Sequence, residues 1–268
     1  MQAKRAPETN GLMFEWLWNI LWKIRIYSRI FYFVIYVIIM VFFANRFDLK
    51  SFTRYIRKMI LLYNDVEYFE KEKIQLVKDL NEKGQGVLLM MNHHSGIDPV
   101  FLYDFVDFYS VAKSDFIGSL DGLWLFEYVK EEFFERCQCI SYKRGDKKSG
   151  QEVKDTIAKM IEKGKNVIVF PEGECQHCFL KPKDFRNGVF ELAHEKNIPI
   201  FSMSINYSKD IGSSRHEPVD IVDTFEKSPD VRLYMNGLYM PQLYKDFEEL
   251  KKEVYDSISE NVLLEWDH

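Results

Sequence analysis

The chain is short of several features that would mark it for one class or another. It has only four cysteines in 268 residues, and no small-residue cleavage pattern follows its apolar stretch, which runs into Asn45-Arg46-Phe47. A secretory leader and a disulfide framework are therefore not expected. It has no excess of basic charge: 36 Lys and Arg stand against 41 Asp and Glu, a net of −5. Without a basic stripe interleaved with aromatics, nucleic acid is not an expected partner. Internal repeats and low-complexity tracts are lacking too. So is an uninterrupted run of about 20 apolar residues, the usual length for crossing a roughly 30 Å hydrocarbon core.

What the chain does carry is unevenly placed. Residues 30–44 hold no charge, which as a helix gives roughly 22 Å. Upstream lie Trp16, Trp18 and Trp22 beside Lys23, Arg25 and Arg29. Aromatic rings next to long cations suit the headgroup layer, where rings anchor and basic side chains snorkel. Two N-terminal helices dipping into one leaflet are expected; a single tilted span and a buried core helix are the competing readings. Residues 1–65 hold ten Lys and Arg against four Asp and Glu, while the remainder is acidic. A basic amphipathic start on an acidic body points to a membrane-associated protein facing the cytoplasm, against anionic lipid. The expected division is residues 1–64, the membrane-associated helices, and residues 65–268, an α/β domain.

The cysteines fall in two close pairs, Cys137-x-Cys139 and Cys175-x-x-Cys178, with His177 inside the second. Pooled, they permit a zinc site. Free, mostly buried thiols are the reading taken, so no metal is expected.

From about residue 66 short apolar runs alternate with helical stretches. Residues 87–91, 109–112, 137–142, 166–170, 199–205 and 231–239 read as strands; 51–64, 99–106, 120–135, 152–163, 185–196 and 242–263 read as helices. Apolar strands separated by helices of about a dozen residues imply an α/β fold, a mixed sheet covered by helices on both faces.

The chemistry gathers where the strand at 87–91 ends, in Asn92-His93-His94-Ser95-Gly96-Ile97-Asp98. Open α/β sheets bind ligands at the carboxyl ends of their strands. His93 is a candidate general base, because imidazole titrates near neutrality. Asp98 is the candidate to accept its other ring N–H and support the imidazolium. In a straight helix residues five apart stand about 140° from each other, so the pair requires a turn, which Gly96 makes feasible. Two other readings stay open: Asp98-Pro99 as a helix N-cap with proline at the first helical position, and His93-His94 as a fragment of a metal hydrolase site.

Asn92-His93-x-Ser95-x-x-Asp98 resembles the first signature of the glycerolipid acyltransferase family, which includes the 1-acylglycerol-3-phosphate acyltransferases. Later blocks follow in that family's order. Val111-Ala112-Lys113 is similar to a short strand ending in lysine, and Cys139-Ile140-Ser141-Tyr142-Lys143-Arg144 to the second block. Phe170-Pro171-Glu172-Gly173 resembles the third, Phe185-Arg186-x-Gly188 the element after it, and Ile198-Pro199-Ile200 the fourth. The resemblance implies acyl transfer from a thioester of coenzyme A or acyl carrier protein to a hydroxyl of a lysophospholipid such as 1-acylglycerol-3-phosphate, with no further cofactor. His93 would take the hydroxyl proton and Asp98 would orient it. Arg144 would grip an anionic headgroup through its guanidinium fork, with Lys113 a lesser candidate. Glu172 would meet acceptor hydroxyls and Gly173 would let the backbone come close. Two departures stand out. The third block continues Glu174-Cys175 where Thr-Arg or Thr-Cys is common, placing an anion near an expected phosphate, and the fourth has Ser202 in place of a second proline. A phospholipid transacylase and a catalytically degenerate lipid-binding membrane protein remain as competing functions.

Overall fold

The structure, a computed structural model, describes Leu21 and Ile24 and residues 66–95, 98–103, 105–113, 138–143, 145–175, 181–208 and 230–262. The chain divides into two compact units, Met1–Phe47 and Asp48–His268. In the first, Leu21 and Ile24 are helical and exposed; the expected membrane helices otherwise lie outside the described residues, as do the expected helices at 51–64 and 120–135. Among the described residues no helix is long and apolar enough to cross a membrane.

The second unit is built on seven strands: β1 (Val66–Phe69), β2 (Leu88–Met91), β3 (Phe108–Lys113), β4 (Cys139–Tyr142), β5 (Asn166–Val169), β6 (Ile200–Tyr207) and β7 (Val231–Tyr239). They form one sheet in the order β1-β7-β6-β2-β5-β3-β4. Every pair is parallel except β6 with β7, so the sheet is mixed, as the alternation of elements implies. Among the described residues four α-helices accompany it: α1 (Gln75–Glu82), α2 (Lys147–Glu162), α3 (Asn187–Lys196) and α4 (Phe247–Val262).

The central strands are buried on both sides, and their side chains alternate between two cores. Leu89 and Met91 of β2 face a cluster with Val77 of α1 and with Phe101 and Leu102, alongside Phe201, Met203, Ile205 and Tyr207 of β6. Leu88 and Met90 face the opposite cluster, with Ile157 and Ile161 of α2, Phe190 and Ala193 of α3, and Leu250, Val254 and Ile258 of α4. All four β2 side chains are fully buried, and burying each stabilises the fold by about 1.5–3 kcal/mol. This double burial is why β2 reads as a continuous apolar run rather than an alternating one.

Helix boundaries follow their caps. Asp146 accepts from the N–H groups of Lys148 and Ser149, starting α2 five residues before its apolar face becomes evident at 152. Gly86, between α1 and β2, lets α2 and the sheet approach: a Cβ there would stand 2.2 Å from the Lys165 carbonyl oxygen. At the start of α4, Glu249 N–H donates to Asp246 Oδ1, which caps the helix, and Glu249 Oε2 accepts from Lys245 N–H one residue before the cap. The α4 face of β6 is polar. Ser202 Oγ pairs with Ser257 Oγ at 2.9 Å, Ser204 Oγ donates to the Ile258 carbonyl at 3.0 Å, and Asn206 donates to the Asn261 carbonyl. These buried bonds set the register of α4 on the sheet. They also give Ser202, the departure from the fourth block, a partner.

Candidate active site

The strand register explains why distant segments of sequence meet. β2 and β5 are parallel neighbours, Met90 lying opposite Val169, so the segments leaving their carboxyl ends emerge side by side. β6 flanks β2 on the other side, Met91 opposite Met203, and runs on to Tyr207. His93, the Phe170–Glu172 turn and Tyr207 therefore converge on one edge, the edge where open α/β sheets hold their ligands.

His93 Nδ1 lies 2.8 Å from Asp98 Oδ2. The same oxygen accepts from the main-chain N–H of His94 at 2.8 Å and of Ser95 at 2.9 Å. Oδ1 accepts from the Tyr207 hydroxyl. The turn closes with Asp98 N–H donating to the Ser95 carbonyl at 3.0 Å. A capping aspartate would accept from N–H groups ahead of it in its helix. This carboxylate turns back over the segment that precedes it, and the helix beyond is a short 3-10 turn, Asp98–Leu102, rather than the α-helix expected at 99–106. Asp98 is fully buried; with four donors aimed at it, its desolvation is met by charge-assisted hydrogen bonds. Gly96 lies outside the described residues.

The imidazole is fixed on its other sides as well. Its ring stacks on Phe170, centroids 3.9 Å apart and planes 20° from parallel. Its main-chain N–H donates to Glu172 Oε1 at 2.8 Å, while Glu172 Oε2 accepts from Lys183 N–H at 3.0 Å. Glu172 is buried, and its carboxylate bridges the loop after β2 to the loop before α3. Gly173 has φ +74°, a left-handed conformation that costs an L-residue about 1–2 kcal/mol. A Cβ there would meet Arg186 only at ordinary contact distance, so the backbone angle, not space, calls for glycine. Glu174 forms an ion pair with Lys183, which neutralises the anion that sets this third block apart.

His94 faces inward and does a different job. Asn92 accepts from Ile205 N–H and donates to the Ile205 carbonyl, both at 2.8 Å, which fixes its amide orientation. Its remaining N–H then points at His94 Nε2, 2.8 Å away, so that nitrogen accepts. His94 is buried and holds the inner side of this turn. Among the described residues no group of three His, Cys, Asp or Glu is placed to hold a metal ion; Cys137, His177 and Cys178 lie outside them.

Burial of the His93 ring opposes its positive charge, but the hydrogen bond to Asp98 and the contact with the Cys175 side chain outweigh burial and raise its pKa to about 10. Cys139 behaves oppositely: burial pushes its thiol up to about 11, so it stays protonated and inert.

The remaining expected residues divide. Lys113 is the last residue of β3, opposite Tyr142 of β4, at the same carboxyl edge. Arg144 lies outside the described residues. Three contributors had no assigned role in the sequence: the Phe170 ring, Cys175 beside the imidazole, and Tyr207. The only trace of Tyr207 was the alternation Phe201, Met203, Ile205, which extends to it by period two.

A histidine oriented by a buried carboxylate on an α/β scaffold has the geometry to act as a general base. A model of the acyltransferase family matches residues 65–206, and the chain belongs to that family. It is 24% identical over 163 residues to a probable 1-acyl-sn-glycerol-3-phosphate acyltransferase of Mycoplasma pneumoniae, covering 60% of this chain and 57% of that protein; it thus spans somewhat over half the length of that relative. The crystal structure of the 1-acyl-sn-glycerophosphate acyltransferase of Thermotoga maritima shares the fold, with a TM-score of 0.58 at 18% identity over 92% of this chain and 96% of that one.

Proposed function

We propose that the chain is an O-acyltransferase. It moves a fatty acyl group from an acyl thioester, carried by coenzyme A or acyl carrier protein, to a hydroxyl of a lysophospholipid such as 1-acylglycerol-3-phosphate. The observation that carries this is the 2.8 Å contact of His93 Nδ1 with buried Asp98, which leaves Nε2 as the proton-accepting atom. In sites where His93 is neutral, the acceptor hydroxyl gives its proton to Nε2 as its oxygen attacks the thioester carbonyl. The tetrahedral intermediate collapses, the C–S bond breaks, and the proton passes from Nε2 to the departing thiolate. No acyl-enzyme is required, because the acceptor oxygen is itself the nucleophile.

Family membership and the two similar acyltransferases support acyl transfer; the named acceptor is our extension from them. Glu172 is assigned to holding His93 in place, and Lys113 and Arg144 to the anionic headgroup. With Glu174 paired to Lys183, a phosphate-bearing acceptor meets no uncompensated anion there. The basic, tryptophan-rich residues 1–64 are assigned to membrane association on the cytoplasmic face. The test supplies labelled acyl-CoA with and without lysolipid. His93→Ala should abolish transfer while folding and membrane association persist. Undiminished transfer in that variant would sink the mechanism, and transfer from a phospholipid donor alone would make the protein a transacylase.

A further inference from the structure

We propose that Tyr207 is a positioning residue of the His93–Asp98 pair, holding the carboxylate so that one oxygen is kept for the imidazole. The inference rests on the reading of His93 as base. It concerns a residue just past the segment matched to the family, which ends at 206.

The two oxygens of Asp98 are used unequally. Oδ2 takes three donors: His93 Nδ1 and the N–H groups of His94 and Ser95. Oδ1 takes the Tyr207 hydroxyl. The Asp98 side chain is fully buried, so without that hydroxyl Oδ1 would rely on a protein donor that no other described contact supplies. Left without that donor, Oδ1 would carry its charge uncompensated, and the carboxylate would draw harder on the donors that remain at Oδ2.

Tyr207 is well fixed for this role. It is buried, its ring sits edge-on to His94 at 6.0 Å and to Phe101 at 6.4 Å, and it ends a strand whose preceding residues pair with β2 and β7. β2 stops at Met91, opposite Met203, while β6 continues four residues further. That overhang is what carries a β6 side chain across to the turn after β2. A phenol also donates into the carboxylate and withdraws negative charge from it, which moderates its hold on the imidazolium. Tyr207 touches Asp98 and not the reacting atoms, so it acts through the pair.

The test uses the full-length chain and compares wild type with Tyr207→Phe. Two readouts are needed: the pH–rate profile of acyl transfer, and the titration of the His93 imidazole followed by NMR of histidine-labelled protein. The second does not depend on activity. Losing the donor should make Asp98 a stronger acceptor and move the His93 titration upward. It should also lower kcat by about tenfold, the scale of one hydrogen bond to a charged group, with KM within about twofold. A fluorinated tyrosine incorporated at position 207 keeps the shape and donates more strongly, so it should move the titration downward and keeps the test available if Tyr207→Phe folds poorly. An unmoved titration in both, with any loss confined to thermal stability, would overturn the proposal and leave Tyr207 as packing. If His93→Ala retains activity while the titration still shifts, the base assignment fails and the positioning contact stands.

Discussion

Asp98→Asn separates the charge of Asp98 from its geometry. Placed with its carbonyl oxygen where Oδ2 lies, an asparagine keeps all three bonds from His93 Nδ1, His94 N–H and Ser95 N–H. Its amide nitrogen then faces the Tyr207 hydroxyl, which can turn and accept. The turn and the tautomer should survive, and what is lost is the negative charge beside the imidazolium. Unit charges roughly 4 Å apart at an effective dielectric near 20 interact by about 4 kcal/mol, or about three pKa units. Asp98 shares the raising of His93 to about 10 with the Cys175 side chain, so removing its charge should undo part of that shift. The variant should therefore show its alkaline activity limb about two to three units lower, with stability reduced by about 1–3 kcal/mol. Its plateau rate should fall roughly 10- to 1,000-fold, because the imidazolium formed at the transition state has lost its partner. The two effects oppose each other at neutrality. At pH 8 roughly one wild-type site in a hundred carries neutral His93, given a pKa near 10, whereas most variant sites do. The deficit should thus be greatest above pH 9 and narrow as pH falls. The assay is acyl transfer from labelled acyl-CoA between pH 6 and 10.5, with folding checked by circular dichroism. A folded variant whose limb stays where the wild type's is, with activity within about twofold throughout, would refute the reasoning and reduce Asp98 to a turn former.

Three further outcomes are expected. In Glu172→Gln one carboxylate oxygen becomes an N–H donor facing the N–H of His93 or Lys183; this should cost about 1–3 kcal/mol in denaturant unfolding and lower kcat more than it raises KM. Gly86→Ala would push a methyl to 2.2 Å from the Lys165 carbonyl oxygen and 2.9 Å from the Ile161 backbone, so urea unfolding should show a loss of about 3 kcal/mol or more. His93 has its folded pKa raised from 6.5 to about 10, so its protonation contributes stability that is fully present below pH 6.5 and fades as pH rises through about 10. Wild type should accordingly lose more Tm than His93→Gln between pH 7 and 10.5, and parallel losses in the two would argue against the ion pair.

Much of the scaffold was legible because its signals are local. The run at 87–91 is apolar throughout since β2 is buried on both faces, and β7 fell at 231–239 as expected. Helix α3, at Asn187–Lys196, fell within the expected 185–196. What escaped was short or polar. β1 and α1 went unassigned: β1 is a four-residue edge strand with alternate residues exposed, and α1 buries only Val77 among its eight residues. Helix α2 began earlier than its apolar spacing showed because Asp146 caps a first turn of Lys147, Lys148, Ser149 and Gly150, none of which faces the core.

The site was legible in a different way. His93 and Asp98 lie in one short segment, so their pairing needed only a turn. That turn is built by main-chain N–H groups of His94 and Ser95 reaching the same carboxylate oxygen. Glu172 and Tyr207 are 79 and 109 residues away from the residues they hold, and no local spacing records such contacts. They follow from strand order alone: β5 on one side of β2, β6 on the other, both parallel to it. Given that order, the residues one to three positions past the end of β5 come to lie beside His93. A strand longer than β2 on its other flank must overhang the turn at Asp98. A sequence reader who had fixed the order β6-β2-β5 before asking what surrounds His93 would have looked for a buried donor at the end of β6, and found Tyr207.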